Sequence, residues 1–377
     1  MNFIVFSDDW GRHPSSCQHI FKRIVKSHRV LWVNTIGMRL PRFSRYDFER
    51  IFSKFYSWIR SAYVSTEGII VYSPFMIPFT NIKMVRKLNK FILIHGIKRK
   101  LKKHNLSSPI LVTTVPNISD VVGNINERRA IYYCVDDFIE WPEMLKEVLE
   151  HEENMLLRKV DAVIVTSQFL FNKLEKRSKR LHLLTHGVDI DHFNISSRKT
   201  TKSIKVMDVI KRPIIGYYGF FDARIDEEII SKIANRSNWS LVIIGRVNLD
   251  IGFLNRFSNV HFIGPVNYQI LSEYARYFDV SILPYKKTIA IKASNPLKFK
   301  EYMALNSPIV ATKVPELEKY SRYIYTAGSP NEFINCIEKS LKNSLSKEQH
   351  IRRLTILENE SWERKAEQFL QFIENGF

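Results

Sequence analysis

Cysteine is scarce in this chain. Cys17, Cys134 and Cys336 are odd in number and far apart, which excludes a disulfide framework and a cysteine-based zinc site and points to a reducing cytoplasm. No uninterrupted run of about 18 apolar residues occurs, so no membrane-spanning helix is expected. The nearest candidate, residues 68–79, is broken by Ser73, Pro74 and Pro78. The opening Met1-Asn2-Phe3-Ile4-Val5-Phe6 lacks a basic region followed by an apolar core and a cleavage site, and reads as a first strand. Acidic residues are nearly missing from the first third: residues 1–105 hold 20 Lys and Arg against 5 Asp and Glu, whereas the remaining 272 hold 37 against 33. That third is expected to face something anionic, with nucleic acid, an acidic membrane surface and a phosphate-bearing lipid as the candidates. No internal repeat of roughly 20–50 residues is present.

What is there is an alternation of short apolar strands and longer amphipathic segments, over 377 residues that are 45% hydrophobic and 25% charged. This predicts an α/β protein with doubly wound parallel sheets. In the first half, strands are expected near 2–6, 29–34, 69–72, 110–114, 130–135, 162–166 and 181–184. The polar, basic stretch 195–212 reads as a boundary, after which the pattern begins again. Strands are then expected near 213–218, 241–244, 260–263, 280–283, 309–312 and 323–325, with helices at 331–341 and 347–373. The predicted organisation is a domain over 1–195, a second over 205–345, and a C-terminal helical segment over 346–377. Open α/β sheets bind ligands at the carboxyl ends of their strands, so two such halves facing a central cleft are the expected architecture.

The stretch Lys292 to Thr312 carries the most chemistry. Asn295 reads as an N-cap, Pro296 as the first helical residue, and Asn306-Ser307-Pro308 as the stop before a buried strand. A helix start offers amides and a positive dipole end to a phosphate. Lys298 and Glu301, three apart, share one face, so an ammonium for a phosphate lies one turn before a carboxylate able to accept from a ribose diol. The same spacing is also that of an ordinary solvated ion pair.

Taken in order, these motifs resemble the GT-B glycosyltransferases over nearly the whole length. Strands run into Gly219, Gly245-Arg246 and Gly264-Pro265-Val266, followed by Phe278-Asp279-Val280-Ser281-Ile282-Leu283-Pro284-Tyr285 and the Asn295 to Ala304 helix. Thr185-His186-Gly187-Val188-Asp189 looks like the family's crossing point between domains. Ser7-Asp8-Asp9-Trp10 and Tyr132-Tyr133-Cys134-Val135-Asp136-Asp137-Phe138 are similar to bacterial exopolysaccharide enzymes of the teichuronic-acid type, and the xanthan-type glucuronosyltransferases share the layout. The resemblance implies a nucleotide-sugar donor, with a lean to UDP, and a saccharide or polyprenyl-linked acceptor in surface polysaccharide synthesis. It implies no cofactor and no metal, because a helix end and cationic side chains take the metal's place. It also implies a last helix, near Trp362, that crosses back onto the N-terminal domain.

Carried over residue by residue, the donor side falls on Gly219, Arg246, Val266, Ser294, Asn295, Lys298 and Glu301. Many retaining relatives have two glutamates eight positions apart here; this chain has Ala293 at the first position and Glu301 at the second, so retention or inversion stays open. The expected base is Asp136, at the carboxyl end of a buried strand, with Asp137 as the alternative because neighbouring strand residues face opposite ways. Either would also serve as an ordinary turn residue. Asp8, Asp9, Arg12 and His19 are assigned to the acceptor side, although a histidine on an amphipathic helix is more often a packing residue.

The basic, aromatic segment 39–60 and the Lys/Arg-rich segment 83–103 suit an anionic membrane interface, and a solvated basic helix is the plainer reading. A protein peripheral at the inner face of the cell membrane, in the cytoplasm, is expected. Two other classes remain as alternatives. A nucleic-acid-binding protein lacks any helix-turn-helix, zinc-finger or RNP-like pattern. An epimerase or oxidoreductase lacks G-x-G-x-x-G after the first strand, where Ser7-Asp8-Asp9-Trp10-Gly11 stands instead.

Overall fold

The computed structural model describes residues 1–12, 14–34, 63–77, 83–141, 146–194, 203–343 and 345–375. The segment 39–60 therefore lies outside the described residues. The chain divides into two compact units, Met1–Thr185 with Lys365–Phe377, and His186–Arg364.

Among the described residues the first unit carries an eight-stranded sheet. Its strands are β1 (Asn2–Ser7), β2 (Arg29–Asn34), β3 (Tyr63–Val64), β4 (Ile70–Tyr72), β5 (Ile110–Thr113), β6 (Arg129–Cys134), β7 (Ala162–Val165) and β8 (Leu181–Leu183). Their order is β3-β4-β2-β1-β5-β6-β7-β8. All neighbours pair in parallel except β3 with β4. Helices on both faces bury the central strands, which explains continuous apolar runs such as Phe3-Ile4-Val5-Phe6 in place of alternation. The intervening helices start where serine supplies a side-chain acceptor: Ser15 takes the Gln18 amide and Ser167 the Leu170 amide.

The second unit holds β9 (Ile214–Tyr218), β10 (Ser240–Ile244), β11 (Val260–Gly264), β12 (Val280–Leu283), β13 (Ile309–Thr312) and β14 (Tyr325–Ala327). They lie in the order β11-β10-β9-β12-β13-β14, all parallel. The order reverses between β9 and β12, and in the first unit between β1 and β5. Such reversals open a crevice beyond the carboxyl ends of the two central strands.

Three expectations need correction. The division falls at Thr185/His186, ahead of the expected 195, because Val188 and Phe193 are buried in the core of the second unit. The C-terminal segment does not form one helix over 347–373 but two, Lys347–Glu358 and Trp362–Asn375. The break is held by the Glu360 carbonyl accepting from the Val188 amide at 2.9 Å and by a parallel bridge between Val188 and Ser361. The first of these helices stays with the second unit, where Leu357 joins the core and the buried Arg353 donates to the carbonyls of Ser307 and Tyr323. Only Lys365 onward returns: Phe369 packs edge-on against Phe21 and Tyr133, each at 5.7 Å, and Arg129 donates to the Ile373 carbonyl. Trp362 itself lies against Gly187, within the second unit.

Lys300, on the Leu297–Ala304 helix, is 1% exposed and donates to the His186 carbonyl and to the Glu360 carboxylate, the latter at 2.6 Å. Glu360 keeps 21% of its side chain exposed, so the loss falls mainly on the buried His186 carbonyl. Lys300→Met is expected to lower the stability of the second unit by about 1–3 kcal/mol, read as a lower denaturation midpoint at unchanged slope.

Candidate functional site

The crevice between β9 and β12 brings together Gly219, Lys298 and Glu301. β9 ends in Tyr217-Tyr218-Gly219. Gly219 has φ of 123°, and a Cβ there would sit 2.1 Å from Lys298 Cε. Gly245, at the end of β10, has φ of 136°, and a Cβ there would sit 2.0 Å from the Gly219 carbonyl oxygen. Only glycine fits either place, and together they let the Lys298 stem lie directly on bare backbone.

The Lys298 ammonium donates to the Tyr285 hydroxyl at 3.2 Å and sits over the rings of Tyr217 and Tyr285, 5.4 and 5.9 Å from their centroids. Tyr285 directly follows β12 through Pro284, so both central strands supply a wall for one cation. One turn further along the helix, the Glu301 carboxylate accepts from the Tyr218 hydroxyl at 2.7 Å. Burial pushes the Glu301 acid up to about 7, against the opposing pull of the Tyr218 bond and of Lys298, while Asp189 adds a further upward push. The Tyr218 amide in turn donates to the Tyr302 hydroxyl.

The loop after β9 is fastened on both sides. The Phe221 amide donates to the Arg246 carbonyl and Phe221 bridges Val247, while Ile225 bridges Tyr285. Arg224 grips Asp222 in a fork with contacts of 2.8–3.2 Å. The pocket wall is therefore a second, short layer of backbone pairing beyond the sheet.

The remaining donor-side residues are placed as follows. Asn295 does not cap the helix. Pro296 occupies the cap position without a side-chain bond, and Asn295 is buried, accepting from the His186 amide at 3.2 Å and donating to Glu316 at 3.0 Å. Its amide is needed for those two partners, which a helix-capping geometry would release. Ser294 closes the preceding Ile289–Ala293 helix. Arg246 is exposed and contributes its carbonyl to the loop pairing. Val266 packs at the edge of the core. Ala293 is fully buried.

In the first unit, Asp137 is buried and both its carboxylate oxygens accept from Lys173 at 2.7 Å. That charge is committed to an internal ion pair. Asp136, half-buried two residues beyond β6, is the aspartate outside that pair. Asp9 and Arg12 form a partly exposed ion pair at 3.6 Å. His19 is buried, 7% exposed, on the inner side of the Ser16–Ile24 helix, as a packing histidine would be. At the β1/β5 reversal stands Asp8, whose carboxylate accepts from Ser7, Ser15 and Gln18; burial raises its pKa. Among the described residues no group of three or more His, Cys, Asp and Glu is placed to share a metal ion.

The tyrosines Tyr217, Tyr218 and Tyr285 and the Asp222–Arg224 fork are the site residues that sequence reasoning missed. The available signal was the aromatic doublet immediately before Gly219.

The chain is similar to several known glycosyltransferases. Residues 220–343 match the family described as glycosyl transferases group 1. A Bacillus subtilis (strain 168) protein, provisionally named teichuronic acid biosynthesis glycosyltransferase TuaH, is 24% identical over 243 residues, covering 61% of this chain and 61% of that protein. Among solved structures, sucrose-phosphate synthase from Thermosynechococcus elongatus superposes with a TM-score of 0.71 at 16% identity, covering 99% of this chain and 98% of its own. Anabaena HepE, in complex with UDP and glucose, superposes with a TM-score of 0.65 at 13% identity over the full length of both chains. The protein has the GT-B fold, with two Rossmann-like α/β units. The stretch that matches the group 1 glycosyl transferases lies within its second unit.

Two outcomes follow for this pocket. Gly219→Ala forces a side chain into a left-handed backbone and into Lys298, and is expected to cost about 1–3 kcal/mol, read by chemical denaturation. Because the Glu301 acid is raised from 4.5 to about 7, the folded chain binds more protons than the unfolded chain between those values, so this residue's contribution to stability falls as pH rises through that window. Glu301→Gln is expected to remove that fall, measured as denaturation midpoints on either side of the window.

Proposed function

We propose that the protein transfers a sugar from a nucleoside diphosphate sugar, with UDP as the nucleotide, to a saccharide or polyprenyl-linked saccharide in the assembly of a surface polysaccharide. The observation that carries this reading is the Lys298–Glu301 pair at the β9/β12 reversal, laid against the bare backbone of Gly219. HepE, a full-length structural neighbour, holds UDP and glucose, and the teichuronic acid relative's name supports a polysaccharide product.

In this reading the diphosphate lies at the start of the Leu297–Ala304 helix. The amides of its first turn and the Lys298 ammonium take up the charge that develops on the leaving oxygen as the bond to the anomeric carbon breaks. That is the service a divalent metal gives in other transferases, so no metal is invoked. Glu301 is assigned to the ribose diol, and Tyr218 holds one of its oxygens. Arg246 and Val266 border the base, and Ser294 lies beside the diphosphate.

The acceptor hydroxyl forms the new bond to the anomeric carbon and must lose its proton. Asp136 is assigned as the base that takes it. Asp137, neutralised by Lys173, supports the sheet end beside it. Asp9 and Arg12 are assigned to the acceptor. The basic charge of the first unit supports a place on an anionic membrane surface at the cytoplasmic face, where a lipid-linked acceptor would be found, and the three buried free thiols suit a reducing compartment.

Glu301→Ala is expected to weaken UDP binding about tenfold or more, as loss of a charged hydrogen bond would; unchanged affinity by calorimetry would remove the pocket from consideration. Asp136→Asn is expected to abolish transfer with UDP affinity retained. Activity in that variant would move the base elsewhere.

A further inference from the structure

The helix Lys83–Lys103 contains no acidic residue and buries one side. Asn89, Leu93, Ile97 and Leu101 are buried, and Gly96 lies so close to β4 that a Cβ would come within 2.2 Å of the Tyr72 hydroxyl. The opposite side is unlike an ordinary solvated face. Met84, Leu88 and Phe91 are 81%, 47% and 60% exposed. With spacings of four and three they form one stripe. Continuing along the same stripe come His95, whose ring rests on Phe91 at 4.1 Å, and then the exposed Lys98, Arg99 and Lys102. The outer face thus grades from apolar to cationic over about 27 Å of helix.

We propose that this face docks on an anionic lipid bilayer, with Met84, Leu88 and Phe91 entering the acyl boundary and Lys98, Arg99 and Lys102 resting on head-group phosphates. The inference deepens, and rests on, the membrane-surface reading given above. A purely solvated basic helix would not present methionine, leucine and phenylalanine to water in one line. A phosphate backbone of nucleic acid would use the cations and leave the apolar half uncovered. An interfacial helix uses both halves, since apolar burial and attraction to anionic head groups act together.

The test uses the full chain and sedimentation with phosphatidylcholine vesicles, with and without phosphatidylglycerol. The wild type is expected to bind the anionic vesicles and to be released by salt. Met84→Ser/Leu88→Ser/Phe91→Ser together should lower partitioning about tenfold or more, and Lys98→Gln/Lys102→Gln should lower it by a similar factor. UDP affinity and melting temperature should stay at wild-type values in both, since these side chains face outward. If the wild type binds anionic vesicles but both variants bind equally well, this helix face is overturned while the membrane reading stands on another surface. If the wild type ignores anionic vesicles, the membrane reading itself fails. Binding to duplex DNA in preference to the vesicles at the same salt would replace the bilayer with nucleic acid.

Discussion

The second unit depends on a contact with no side chain on one side of it. Lys298 lies against Gly219, and Gly219 lies against Gly245, so two strand ends and one helix start are packed backbone to stem. A Cβ at Gly219 would displace the Lys298 side chain, and one at Gly245 would press on the Gly219 backbone. That close approach is what brings the ammonium onto Tyr217 and Tyr285 and sets the carboxylate of Glu301 beside Tyr218. The aromatic residues thus have two duties. They fill the core at the end of the sheet, and they hold two opposite charges apart on one helical face.

Much of the architecture was legible in the sequence because parallel strands buried on both faces write themselves as short apolar runs, and thirteen of the fourteen described strands fall on or beside such runs. The short β3 was not legible: Tyr63–Val64 is exposed, antiparallel and paired only to β4, so its pattern carries no burial signal. The long C-terminal helix was also misjudged. The local signal was there in Asn359 and Ser361, both weak helix formers, with Ser361 accepting from the Arg364 amide as an N-cap; pairing with Val188, some 170 positions earlier, then fixes the break.

The site was legible in part. Lys298, Glu301 and Gly219 stand where helix periodicity and strand ends place them. Asn295 was misread because its residue type suits a cap, whereas its amide bridges His186 and Glu316, both remote in sequence. Alternation alone did not separate Asp136 from Asp137, and the ion pair that distinguishes their surroundings comes from Lys173, 36 residues away. The tyrosine walls escaped notice for a related reason, since aromatic residues at strand ends look like core until a charged atom is found on their faces.

Lys300 gives the donor helix a mechanical character. It stands next to Glu301 in sequence, and its ammonium is shared by the carbonyl of His186 and the carboxylate of Glu360, the residues where the chain enters the second unit and prepares to leave it. A single rod therefore bears the proposed ribose contact on one side and both covalent passages on the other.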